Sequence, residues 1–321
     1  MQSLKSKLIL KLLLNSHLFK LQLKRKPFDP SPEGIQRFRA STEKAGTMFG
    51  KLPKEVEIEP LFIGNRYAEW VKIPGTSKNK AILYFHGGMY LFGSPQAHRQ
   101  HVIKFVKGCG MNALVFDYRL APENPFPAAL EDALQAYDYL LSQVSHPCDI
   151  VFAGDSAGGG LCLATLLAIK DKGLPLPAAA AALSPWTDLM LTGESYQTNK
   201  KVCLSPDGCA ENASRMYAGI HSGRDPYISP LYGNLHGLPP LHISAGGNEI
   251  LLDDSVHFAG KAREAGVDVT LRIDKGMCHC YPVFGDLFRE SKIALAEIGQ
   301  FLKSHANKEK KTEASVTFSN A

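Results

Sequence analysis

Residues 150–160 read Ile150-Val151-Phe152-Ala153-Gly154-Asp155-Ser156-Ala157-Gly158-Gly159-Gly160. An apolar run with the character of a buried strand gives way to a glycine-framed serine, G-x-S-x-G, and then to an apolar helical stretch. At such a strand-to-helix turn the serine is held in a strained backbone conformation, and glycines flank it because a Cβ would collide with its neighbours. The hydroxyl is lifted into the open. The helix that begins there aims its free amides and positive dipole end at the same point, favouring negative charge as it develops. The same pattern also occurs in ordinary glycine-rich turns, so the surrounding chain has to decide.

Working outward, near-continuous apolar runs at Ala81–Phe85, Ala113–Asp117, Ile150–Ala153, Leu241–Ala245 and Val269–Ile273 alternate with helical stretches at Ala128–Gln143, Gly159–Lys172 and Asp253–Ala265. That alternation predicts an α/β fold, a mostly parallel sheet with helices on both faces. Shorter strand-like runs precede it at Val56–Phe62 and Ala68–Ile73. Residues 1–52 read as an amino-terminal cap segment, 53–305 as the main domain with a cap insertion near 187–225, and 306–321 as a polar tail.

A second strand, Ala81–Phe85, runs into His86-Gly87-Gly88-Met89-Tyr90. Glycines there leave backbone N–H groups uncovered, and acyl transfer needs such donors for its tetrahedral oxyanion. Gly87, Gly88 and Ala157 are the candidate donors. His86 reads as a residue that orients this loop.

These two segments, with Asp117-Tyr118-Arg119-Leu120-Ala121-Pro122-Glu123 between them, resemble the hormone-sensitive-lipase group of α/β-hydrolases over residues 60 to 303. The resemblance implies the α/β-hydrolase fold with a helical cap, and hydrolysis of short- to medium-chain carboxylic esters or lactones through an acyl-enzyme. It implies Ser156 as nucleophile, a small-molecule ester as partner and no cofactor. Met89 departs from the pattern, standing where many members have a third glycine. That position faces the acyl site in the family, so Met89 bears on substrate shape.

The base must follow a late strand. Asp274-Lys275-Gly276-Met277-Cys278-His279 resembles the family's histidine loop and assigns His279, while His98, His101, His242 and His257 read as surface or core residues. The acid belongs between serine and base in chain order, beyond the preceding strand. There Glu249 matches the acidic position of this branch. Asp253 is the alternative, although it precedes a helical run and reads as a cap or first-turn charge. Asp117, Arg119, Glu123, Asp155 and Asp188 read as loop-holding residues.

The chain has 321 residues, 45% hydrophobic and 21% charged, the balance of a globular protein with a sizeable core. Its net charge of +5 is unevenly placed: residues 1–26 hold seven basic residues and no acidic one, which leaves the remainder at −2. Nucleic-acid binding is excluded on that ground, since the body carries no basic patch interleaved with aromatics. In the basic segment, Leu8-Ile9-Leu10 and Leu12-Leu13-Leu14 are broken by Lys11, short of the ~20 apolar residues that span a bilayer. No signal-peptide cleavage pattern follows. The segment reads as a basic amphipathic helix, either packed over the active-site mouth or touching an anionic membrane surface.

Seven cysteines without paired spacing point to a reducing, cytoplasmic setting, and the spacing of Cys278-His279-Cys280 is too tight for a usual zinc site. Two further readings stay in view. One is a lipid hydrolase working at a membrane surface. The other is a ligand receptor on the same fold, which the presence of His279 disfavours. A homodimer is neither required nor excluded.

Overall fold

The computed structural model describes residues 2–16, 26–48 and 52–306. Its centre is an eight-stranded sheet: β1 (Glu57–Ile63), β2 (Arg66–Lys72), β3 (Ser77–Phe85), β4 (Met111–Phe116), β5 (Ile150–Asp155), β6 (Ala179–Leu183), β7 (Leu241–Gly246) and β8 (Val269–Asp274). Their order is β1-β2-β4-β3-β5-β6-β7-β8. β1 and β2 form an antiparallel pair, and β2 meets β4 antiparallel; from β4 to β8 all neighbours are parallel. The central parallel strands β5, β6 and β7 are buried on both faces and largely apolar in sequence, whereas β8 at the sheet edge carries Thr270 and Arg272 and is only half-buried.

Alternation along the strands sorts the core into two layers. Leu83, Phe85 and Phe152 face one layer, which is packed by α4 (Ala128–Gln143), α5 (Ala157–Asp171) and α8 (Leu252–Glu264). Ile82, Tyr84, Val151 and Ala153 face the other, packed by α3 (Pro95–Cys109) and α9 (Arg289–Ala306). α5 runs through the interior, with residues 157–169 all buried, which is why its sequence has no polar face.

Three elements went unread in the sequence. β6 is Ala-Ala-Ala-Ala-Leu, a composition with little strand propensity that becomes a strand because β5 and β7 pair with it on either side. α3 and α9 also went unread, although each is as amphipathic as the helices that were marked. The region after β6 holds two short helices, α6 (Ser195–Thr198) and α7 (Cys209–Ala218).

The amino-terminal part contains α1 (Leu4–Leu14) and α2 (Pro32–Met48). α1 does not lie over the active-site mouth. It docks against the start of α9 and the loop after β8, where the Ser6 hydroxyl donates to Glu290 at 2.6 Å and the Gln2 amide to the Gly276 carbonyl at 2.8 Å. α2 supplies the cover instead. Arg39 ties it down by donating to the carbonyls of Leu91 and Ala121 and to the Glu123 carboxylate.

Candidate active site

Parallel strands end their carboxyl termini along one edge of the sheet, and the loops beyond that edge build the site. Ser156 follows β5 directly and opens α5, with φ +57° and ψ −125°. A non-glycine residue in this region is strained, and the structure holds it in place: the Ser156 amide donates to the Leu183 carbonyl on β6 at 2.8 Å.

β7 and β8 bring the next two residues together. Their pairing runs on past the strands, since the Gly247 amide donates to Asp274 at 3.0 Å and the Asn248 amide to Met277 at 2.9 Å. The two loops are thereby zipped, and Glu249 meets His279. His279 Nδ1 is hydrogen-bonded to Glu249 Oε2, and His279 Nε2 lies 2.9 Å from Ser156 Oγ. A carboxylate accepts only, so Nδ1 carries the proton and Nε2 presents a lone pair to the serine hydroxyl.

Glu249 is fully buried, and a carboxylate there needs donors to offset its lost hydration. It has them. Oε1 accepts from the Ser184 hydroxyl at 2.8 Å and from the Gly246 amide at 2.7 Å. Ser184 in turn accepts from the Cys280 amide at 2.9 Å, so one hydroxyl clamps both loops. Asn199, at the end of α6, donates to the Glu249 carbonyl at 2.9 Å. Neither Ser184 nor Asn199 carries a sequence signal, because each acts through a tertiary contact.

Asp253 is elsewhere. It sits in the first turn of α8 and accepts from the Ser195 amide at 2.8 Å, while Ser195 Oγ accepts from the Asp253 amide. Asp254 holds the loop after β6 through the Thr187 and Asp188 amides. Burial pushes its carboxyl well above the ordinary range.

The glycine loop departs in one respect from the expected set of donors. The Gly87 amide donates to Asp155 Oδ1 at 3.1 Å, an oxygen that also accepts from Tyr84. Gly87 is therefore engaged in fastening the loop to β5, and its amide is not free for an oxyanion. The amides of Gly88 and Ala157 have no hydrogen-bond partner among the described residues. Gly88 has φ +128°, and a Cβ there would lie 1.9 Å from the Phe92 carbonyl oxygen, so only glycine fits. Beside it His86 is fully buried, stacked on Tyr118 with ring centroids 4.1 Å apart, and burial lowers its pKa to about 3. It is a neutral structural ring, in line with the sequence reading.

Around these groups lies a cavity of about 310 Å³. α2 contributes Phe38 and Thr42 to its wall, Met89 and Phe92 come from the glycine loop, and Trp186, Cys209 and Ala210 from the region after β6. His98 and His101 also line it, against the expectation that both were surface or core residues. Cys280 Sγ lies 3.4 Å from His279 Nε2, and burial pushes this thiol well above its ordinary range. Among the described residues no disulfide joins any of the cysteines.

Residues 82–283 match the family described as the alpha/beta hydrolase fold. The chain belongs to the α/β-hydrolase family. Among its relatives, an acetyl-hydrolase of Streptomyces hygroscopicus is 40% identical over 275 residues, covering 84% of this α/β-hydrolase and 90% of the relative. An esterase of Acinetobacter venetianus is 36% identical, covering 78% and 82%. Among solved structures, the esterase EstE5 soaked with p-nitrophenyl butyrate superposes with a TM-score of 0.87 at 37% identity, covering 95% of this chain and all of that one. An esterase of the bacterial hormone-sensitive lipase family superposes at 0.85 with 36% identity, covering 95% and 99%. The α/β-hydrolase falls in that group.

Proposed function

We propose that this carboxylic ester hydrolase cleaves short- to medium-chain esters by way of an acyl-enzyme on Ser156, with His279 as base and Glu249 as its carboxylate partner. The observation that carries the reading is the unbroken hydrogen-bonded line from Ser156 Oγ through His279 to buried Glu249.

In acylation, Ser156 Oγ attacks the ester carbonyl carbon while His279 Nε2 takes its proton. The carbonyl oxygen becomes an oxyanion in reach of the Gly88 and Ala157 amides, at the positive end of α5. Glu249 holds the imidazole in its Nδ1–H tautomer and stabilises the imidazolium without taking the proton. Collapse returns the proton from His279 to the leaving alcohol. Water then attacks the acyl-enzyme by the same route, and the acid is released. No step calls for a cofactor.

The cavity has room for a small acyl group and a modest alcohol, and relatives named acetyl-hydrolase and esterase favour the short end of the range. Within the domain layout, α2 and the region after β6 act as the cap. The receptor reading loses ground because base, acid and nucleophile are all in register.

Purified protein is expected to hydrolyse p-nitrophenyl acetate and butyrate, and Ser156→Ala to lower kcat at least a thousandfold at similar folded content by circular dichroism. A Ser156→Ala protein of undiminished activity contradicts the assignment.

One observation favours a further reading of α1, peripheral contact with an anionic membrane. Leu4, Leu8 and Leu12 recur at helical spacing and are exposed, with exposed Lys5 and Lys11 beside them. A stripe of that kind suits the interface between headgroups and acyl chains. Among the described residues no helix is long and apolar enough to cross a membrane.

A further inference from the structure

His98 and His101 stand three residues apart on α3, so both rings fall on one helix face, and that face lines the cavity. Their ring centroids are 5.4 Å apart in an edge-on arrangement. The proposed mechanism uses neither ring. The rest of that wall, from Ala97 to Val283 and Phe284, is hydrocarbon. Two imidazoles in such a wall are costly unless something polar meets them.

Their hydrogen bonding says what that is. His98 Nδ1 lies 3.0 Å from the Ser94 carbonyl oxygen. A carbonyl only accepts, so Nδ1 carries the proton and Nε2 of the neutral ring is an acceptor. In His101 it is Nδ1 that is sealed from solvent, and it has no partner among the described residues. A buried N–H without an acceptor is the rarer arrangement in proteins, so the proton belongs on Nε2, which is a donor. Burial, with His98 and the Lys104 cation nearby, holds the His101 ring well below its ordinary pKa and keeps it uncharged. Lys104 itself donates to the Val283 carbonyl at 2.6 Å.

One acceptor and one donor on the same helix face match a group that both donates and accepts. We propose that His98 and His101 form a subsite for a hydroxyl group carried by the ester beyond its scissile bond. A carboxylate or ketone could use only the donor, and an ammonium only the acceptor. The preferred substrates are therefore esters whose acyl or alcohol part bears a hydroxyl. This rests on the esterase reading and adds to it what that reading lacks, a polar requirement on the substrate.

The test compares matched esters in which a methyl replaces the hydroxyl. Ethyl β-hydroxybutyrate against ethyl isovalerate probes the acyl side, and trimethylene glycol monobutyrate against butyl butyrate probes the alcohol side. The readout is the kcat/KM ratio within each pair, in which any general loss of activity cancels. Wild-type protein is expected to favour the hydroxylated member of at least one pair by about tenfold, the worth of one net hydrogen bond. His101→Leu should bring that ratio to one or below, chiefly through KM, and His101→Asn, which keeps a donor, should restore part of it. A wild-type preference for the methyl member of both pairs overturns the subsite, as does a hydroxyl preference that His101→Leu leaves unchanged. Failure to hydrolyse any of the four esters, or the p-nitrophenyl esters, would instead remove the esterase reading and the subsite with it.

Discussion

At the scale of single residues, the choice between Glu249 and Asp253 turns on what each carboxylate touches. Glu249 meets His279 Nδ1, and Asp253 meets the Ser195 amide. Glu249→Gln should accordingly lower kcat by a hundredfold or more with little change in KM, since the amide cannot stabilise the imidazolium. Asp253→Asn should change kcat less than fivefold. Steady-state kinetics on p-nitrophenyl butyrate read both, and the reverse order makes Asp253 the working acid. Ser156, Glu249 and His279 were legible because each sits where a parallel strand ends, a position the apolar runs mark. Gly87 was misread for an instructive reason. A motif says which amides a turn exposes, but not that Asp155, one residue before the serine, reaches back to accept from one of them. His98 and His101 were misread in the same way, since only the placing of α3 against the cavity tells a lining ring from a core one.

At the scale of elements, the sequence marked the parallel strands and the helices at their ends, where composition and periodicity agree. It was silent on β6, whose four alanines become a strand only between two others. It was divided on α1, where the apolar pattern was visible but not the direction it faced. The structure turns Ser6 inward to Glu290 and leaves Leu4, Leu8 and Leu12 outward. Replacing those three leucines by glutamate should abolish co-sedimentation with vesicles of anionic phosphatidylglycerol while hydrolysis of p-nitrophenyl butyrate persists. Equal sedimentation of the variant and wild-type proteins would end the membrane reading. α2 presents a different case: it lies within the stretch read as an amino-terminal cap, but nothing in its sequence singled out Phe38 and Thr42, which form part of the cavity wall.

At the scale of the whole molecule, buried neutral histidines tie stability to pH. Burial lowers the pKa of His242 on β7 from 6.5 to about 4, and neither of its ring nitrogens has a partner among the described residues. A base whose pKa is lower folded than unfolded contributes its stability above the unfolded value, and loses it as pH falls through the window from about 6.5 to 4. The shift corresponds to on the order of 3 kcal/mol. His86 behaves the same way down to about pH 3. Urea unfolding at neutral pH and near pH 4.5 should show His242→Leu losing less stability on acidification than wild type, with no loss at neutral pH. Parallel losses in the two proteins would mean that His242 does not titrate on unfolding as described. Sheet and clamped loops together hold Ser156 under strain and in line with His279 and Glu249, the arrangement the proposed mechanism requires. Reaction with diethyl p-nitrophenyl phosphate, followed by peptide mass mapping, tests that most directly. The prediction is one phosphoryl adduct per chain, located on Ser156 and absent from Ser156→Ala, with p-nitrophenolate released in equal amount. An adduct on another residue, or none, would contradict it.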